Sequence, residues 1–235
     1  MISRMAATQY PQPNQVLSSF ARPGQNIKQC NDKHSDTLLV DYDPYKVSVF
    51  IPEAQMFDYM TLLSFHTALM KSILIRHGGT LRNLELSLWA LTKPIAKALS
   101  SLSALRALSI RVEDFPHVRA VPRKLVPSQR IEQRQAWDFL AQYAVWAPRL
   151  HALRIEGSDV TLNQLKSLLI RNHWLRELWL CKCSHIDSAL WSFLGSEWEG
   201  RAALRILGVT RCGGQLDEET LDVIGNLNGL QVSKP

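Results

Sequence analysis

Apolar side chains follow two rhythms along this chain, and from about residue 80 onward the rhythms take turns. Five short segments share the pattern L-x-x-L-x-L, with Ile or Val accepted at the last position. They are L-R-N-L-E-L at 81–86, L-R-A-L-S-I at 105–110, L-H-A-L-R-I at 150–155, L-R-E-L-W-L at 175–180 and L-R-I-L-G-V at 204–209. The period of two that closes each segment predicts a strand with one buried face. Between segments the apolar spacing widens to three or four, which predicts helices. Thr92 precedes a helix with Ile95, Ala98, Leu99 and Leu102, and Thr161 with Gln164 forms a capping box before Leu165, Leu168 and Leu169. Asp187 opens Ala189 to Leu194. Asp217 opens Leu221 to Ile224, with Gly225 as the stop.

The five segments begin 24, 45, 25 and 29 residues apart. A period of roughly 20–29 residues is that of leucine-rich repeats, strand–helix units that can bury their apolar faces only by stacking. The expected fold is therefore an α/β leucine-rich-repeat solenoid, a short curved array over residues 80–235. The interval of 45 holds one unit and an inserted loop at about 111–134, where Pro116, Pro122 and Pro127 fall. Residues 36–79 read as a degenerate first repeat or cap. Leu38–Val40 and Val47–Ile51 are its strands, and Phe57 to His77 is a helix stopped by Gly78-Gly79. Residues 1–35, rich in Gln, Pro, Asn and Ser, read as a flexible tail. The closing G-L-Q-V-S-K-P has the look of another repeat beginning.

Three residues past the last apolar position, such a repeat needs a small polar or thiol side chain to satisfy backbone groups where the chain leaves the strand. Ser158, Cys183 and Cys212 stand there in the last three units, whereas Trp89 and Glu113 stand there in the first two. With L175-x-x-L178-x-L180-x-x-C183-x-x-I186 and L204-x-x-L207-x-V209-x-x-C212, residues 81–230 resemble the cysteine-containing class of leucine-rich repeats found in F-box proteins. Those proteins are substrate receptors of cullin–RING ubiquitin ligases. The resemblance implies a protein substrate held on the concave sheet, and Skp1–cullin machinery as a further partner if the array belongs to a longer receptor. It covers the repeats alone, since no F-box segment is recognisable.

Register places Glu85, Ser109, Arg154, Trp179 and Gly208 in one outward row. Ser87, Arg111, Glu156, Cys181 and Thr210 form the next. An outward tryptophan flanked by arginine has the make-up of a binding hot spot. Glu85, Arg111, Arg154, Glu156, Trp179 and Thr210 are the candidate partner-binding residues. Most of Trp89, Trp146, Trp174, Trp191 and Trp198 lie near turns or helices and are expected to pack inside.

Composition narrows the chemistry. Hydrophobic residues at 46% and charged ones at 20% describe a globular chain, and no stretch is long and apolar enough for a membrane span. The N-terminus has no apolar signal core, so the expected location is intracellular, cytoplasmic or nuclear, with reduced cysteines. No nucleotide, hydrolase or zinc-protease motif is present, so neither an enzyme nor a cofactor site is expected. The sharpest metal-like set is Cys181, Cys183 and His185. No second ligand pair stands at zinc spacing, and a structural Cys183 on the same side as Cys181 is preferred. Asp41 and Asp43 read as an acidic loop. The net charge of +6 includes Arg111, Arg119, Arg123, Lys124, Arg130 and Arg134 of the proposed loop. These offer an alternative role in nucleic-acid binding, weakened by the absence of interleaved aromatics. A second alternative is regulation of another enzyme, as in GTPase-activating repeat proteins.

Overall fold

The structure, a computed structural model, describes residues 45–49, 58–112, 126–214, 217–227 and 229–230. The expected tail, the strand at Leu38–Val40, Asp41, Asp43 and Glu113 lie outside the described residues. Strands and helices alternate: β1 (Lys46–Val49), α1 (Tyr59–His77), β2 (Asn83–Leu88), α2 (Lys93–Ser100), β3 (Ala107–Val112), α3 (Val126–Tyr143) and β4 (Ala152–Glu156). They continue through α4 (Leu162–Leu169), β5 (Glu177–Cys181), α5 (Ala189–Ser192), β6 (Ile206–Thr210) and α6 (Glu218–Gly225).

The six strands form one parallel sheet in strictly sequential order. Each connection therefore returns to the neighbouring edge, which the helix-bearing spacing of the sequence requires. Register aligns the repeated apolar positions rung by rung. Val47, Leu84, Leu108, Leu153, Leu178 and Leu207 make one line, and Leu86, Ile110, Ile155, Leu180 and Val209 another. Those side chains join the buried faces of α2, α3 and α4 in a single core. The residues between them point to the other face, which no described helix covers.

Two backbone devices repeat with the strands. At the entry to each, one carbonyl accepts two successive N–H groups of the next unit. Tyr45, Arg82, Arg106, His151 and Arg176 supply these carbonyls, with N···O distances of 2.6–3.2 Å. At the exit of β4, β5 and β6 the chain turns through a left-handed residue: Gly157 (φ 66°), Lys182 (φ 54°) or Arg211 (φ 53°). The turn sends the following Ser158 and Cys183 into the core and leaves Cys212 half-buried. Ser158 Oγ accepts a 2.5 Å hydrogen bond from Trp137 Nε1, and Cys183 Sγ donates toward Ile155 O at 3.7 Å. Cys212 Sγ donates toward Thr210 O at 3.5 Å, so the two thiols meet backbone carbonyls as expected, whereas the Ser158 hydroxyl receives a helix side chain instead.

The expected loop at about 111–134 is corrected at both ends. Arg111 and Val112 belong to β3, residues 113–125 lie outside the described residues, and Val126 onward is helical. Pro127 sits in the first turn of α3, where a missing N–H breaks no hydrogen bond. The buried stripe of α3 begins with two glutamines, Gln129 and Gln133, before Ala136, Trp137 and Leu140. Gln129 Nε2 donates to Trp89 O at 3.0 Å, so a polar side chain fills a core position. The extra length of this unit is thus partly a longer helix.

The remaining helices follow their caps. Thr161 and Gln164 complete the capping box, and Asp217 Oδ1 accepts from Thr220 N at 2.8 Å. Thr92 stands at the N-cap of α2 but makes no side-chain cap bond. After α5 the chain widens into a π turn at Phe193–Glu197, then a 3-10 turn at Glu199–Ala203. Trp198 closes the end of α4 by donating to Leu169 O and Asn172 O, at 2.8 and 2.9 Å, as Trp146 donates to Leu99 O at 3.0 Å in the last turn of α2. Trp89 and Trp191 are also buried, whereas Trp174 is 64% exposed. In α6 Leu221 is exposed and Thr220 is buried, against the apolar spacing of that segment. Among the described residues no helix is long and apolar enough to cross a membrane.

Candidate functional site

The uncovered face of the sheet carries the outward rows. Pairing confirms their order: Ser48, Glu85, Ser109, Arg154, Trp179 and Gly208 stand side by side, followed by Ser87, Arg111, Glu156, Cys181 and Thr210. A third row, on the strand-entry side, is Lys46, Asn83, Ala107, Ala152, Glu177 and Ile206.

Charges on this face are mostly joined to one another. Lys46 Nζ lies 2.8 Å from Glu85 Oε1, and Ser48 Oγ donates to Glu85 Oε2 at 2.9 Å. Burial would raise the Glu85 pKa. The hydrogen bonds from Lys46 and Ser48, with the charges of Lys46 and Arg154, outweigh it and hold the carboxyl below its ordinary value. Arg154 grips Glu177 through Nε, at 2.8 Å, and Nη2. Glu156 faces Arg111 at 3.7 Å and Lys182 at 3.3 Å. Such half-exposed pairs add about 0–1 kcal/mol each to stability. Their larger effect is to hold side chains in fixed positions across the strands. Lys46, Glu85, Ser109, Arg154 and Glu177 line a shallow depression of about 280 Å³.

Trp179 is different. It is 40% exposed on the uncovered face, with the Arg154 guanidinium carbon 5.7 Å from its ring centre. A Cβ built on Gly208 would overlap Cε3 of the indole, so the ring lies across the bare backbone of β6. Ile206, also 40% exposed, stands on the same strand. The face is thus apolar around Trp179 and Ile206 and ionic from Lys46 across to Glu177. Thr210 is exposed at the far end of its row, paired in register with Cys181. Gly208→Ala is expected to unseat the indole. In a two-dimensional NMR spectrum the Trp179 Nε1–H peak should move while those of buried Trp146 and Trp198 stay. An unmoved Trp179 peak would show that the ring does not rest on residue 208.

Of the six sequence-derived candidates, the structure joins Arg154 to Trp179 and Arg111 to Glu156, and sets Glu85 in the field of Arg154. The partners Lys46, Glu177 and Lys182 were not foreseen, because the first two sit diagonally across strands and Lys182 lies in the turn after β5. A second feature was readable yet overlooked. Position two of every repeat is basic: Arg82, Arg106, His151, Arg176 and Arg205. Arg106 and Arg205 use Nη1 to bind the turn carbonyls of Ala104 and Leu105, and of Ala202 and Leu204. Arg82 stacks on Tyr45 at 4.5 Å. Burial, and then the charges of Arg176 and Arg106, lower the pKa of His151. The four arginines of this column place positive charge along the strand-entry edge.

The Cys181, Cys183, His185 set is pulled apart. The strand ends at Cys181, Lys182 turns left-handed, and Cys183 enters the core instead of sharing a side with Cys181. His185 is exposed, 3.3 Å from Arg134 Nη2 and 3.9 Å from Asp159 Oδ1. Among the described residues no three His, Cys, Asp or Glu side chains are placed to hold a metal ion. No protein-family model matches the chain, and no curated protein matches it.

Proposed function

We propose that this chain is a leucine-rich-repeat solenoid that binds another protein on the concave face of its sheet, with Trp179 as the anchor. The observation that carries the reading is the seat of Trp179: a large amphipathic ring held flat on Gly208 and left exposed, beside an Arg154 already paired with Glu177. Held aromatic and arginine side chains dominate interface energetics because they bury much area at little cost in rotamer freedom. The ionic pairs from Lys46 to Glu177 then set orientation and exclude partners of the wrong charge. The repeat reading is supported by sequential parallel pairing and by the shared turn at Ser158, Cys183 and Cys212. The finer assignment, the substrate-recognition part of an F-box-like ubiquitin-ligase receptor, rests on the likeness of the last three repeats to the cysteine-containing class.

Quantitative capture from cell extract tests this, comparing the wild type with an Arg154→Glu, Trp179→Ala double variant that unfolds at a similar temperature. The expected result is a protein retained by the wild type and lost from the variant, with Skp1 and a cullin recovered alongside it in the ligase case. Equal recovery by a folded variant would remove the concave face from consideration.

A further inference from the structure

We infer that Cys183 and Cys212 are an oxidisable thiol pair, in which a peroxide converts Cys212 to a sulfenic acid and Cys183 then closes a disulfide between consecutive repeats. The two residues hold the same place in adjacent units. Cys181 and Thr210 pair in register, and each chain then passes one left-handed residue, Lys182 or Arg211, before its cysteine. Their α-carbons therefore stay about one strand spacing apart, ~4.7–4.9 Å. A disulfide spans roughly 4.4–6.8 Å between α-carbons. The side chains leave the two strands in the same way, Cys183 Sγ donating toward Cys181 O and Cys212 Sγ toward Thr210 O, each at 3.5 Å, so the two sulfurs stand beside equivalent carbonyls of neighbouring units.

The two thiols are not equivalent. Cys183 is wholly buried, whereas Cys212 is half-buried and opens on a cavity of about 430 Å³ that Asp187, Trp191, Arg211, Gly213 and Gly214 also line. The neighbouring Cys183 side chain lowers the Cys212 pKa, against the opposing effect of burial. The nearness of Cys212, and then burial, raise that of Cys183. Cys212 is thus the more accessible and more readily ionised thiol, and Cys183 the less acidic neighbour behind it.

The chemistry balances. The Cys212 thiolate attacks one peroxide oxygen, the O–O bond breaks, and the departing oxygen takes a proton to leave as water or an alcohol. Cys212 is then a neutral sulfenic acid. With that negative charge gone, Cys183 loses its proton more readily and attacks the Cys212 sulfur. The S–S bond forms and hydroxide leaves with the Cys183 proton as water. Two thiols have lost two electrons, and one peroxide has gained them. The outcome is a covalent clasp between the exits of β5 and β6, on the unit that carries Gly208 beneath Trp179.

The folded full chain treated with hydrogen peroxide, then quenched, tests the pair. Trypsin cleaves after Lys182 and Arg211, so Cys183 and Cys212 each begin their own peptide and Cys181 stays on a third. Free thiols should fall from the four of the chain to two, with the Cys183 and Cys212 peptides disulfide-linked and released by dithiothreitol. Cys212→Ser should abolish the link. Cys183→Ser should leave Cys212 trapped as a dimedone-reactive sulfenic acid; Ser158 shows that this turn accepts serine. A disulfide formed through Cys181 or Cys30 instead, or a Cys212 oxidised no faster than Cys181, would overturn the inference.

Discussion

Trp137→Ala is expected to lower folding stability by about 3–5 kcal/mol, the range for truncating a fully buried aromatic. Trp137 is inaccessible to solvent, and its indole N–H donates to Ser158 Oγ, so the substitution opens a cavity and strips a buried hydroxyl of its donor. The residue lies on α3, in the segment where polar composition conceals a helix, and it ties that helix to the exit of β4. Urea denaturation followed by circular dichroism would measure the loss as a fall in midpoint. A loss below about 1 kcal/mol would mean that α3 does not pack against the sheet as described.

Mild acid should expose a second weakness, at His66. Its ring is buried on α1, neither nitrogen has a hydrogen-bond partner among the described residues, and burial pushes its pKa down to about 4 from 6.5. Above pH 6.5 the imidazole is neutral in both folded and unfolded chains and has no pH-dependent effect. Between 6.5 and 4 the unfolded chain binds a proton that the folded one refuses, so stability falls with pH. Across that window the loss approaches about 3 kcal/mol. His66→Leu removes the titration and keeps the site apolar. Urea midpoints at pH 7 and pH 4.5 should therefore fall further for the wild type than for the variant. Parallel falls would show that His66 is not held neutral in the interior. Asp58 and Asp217, whose carboxyls are lowered chiefly by hydrogen bonds from Thr61 and Thr220, belong to exposed caps and should behave alike in both proteins.

The strands were legible because one face of each must be buried, so a slip of one residue would expose every leucine. That constraint also fixed the outward rows, and Trp179 with Arg154 could be placed before any coordinates. Where burial is not carried by apolar residues, the reading faltered. Gln129 and Gln133 occupy core positions of α3, Gln129 through a hydrogen bond to Trp89 O, and Pro127, usually a loop signal, begins its first turn. Cys183 was given the right structural task but the wrong geometry. Alternation holds only while the strand continues, and Lys182 ends it with a left-handed turn that no glycine announces. Leu221 is exposed on α6 because helical spacing names a face without showing what covers it. The ion pairs were missed for a simpler reason. Lys46–Glu85 and Arg154–Glu177 join residues diagonal across neighbouring strands, and a row-by-row reading compares only those directly opposite.

The central claim is that the uncovered face of the sheet is the binding surface. Site-specific photocrosslinking tests it most directly, with a photoreactive phenylalanine analogue placed in turn at Trp179, at Thr210, and at Asn163 and Ser167 on the exposed side of α4. The account predicts that irradiation in cell extract joins one protein to the Trp179 and Thr210 positions and to neither helical position. A partner joined through Asn163 or Ser167, with none at Trp179, would contradict it and move the interface to the helices.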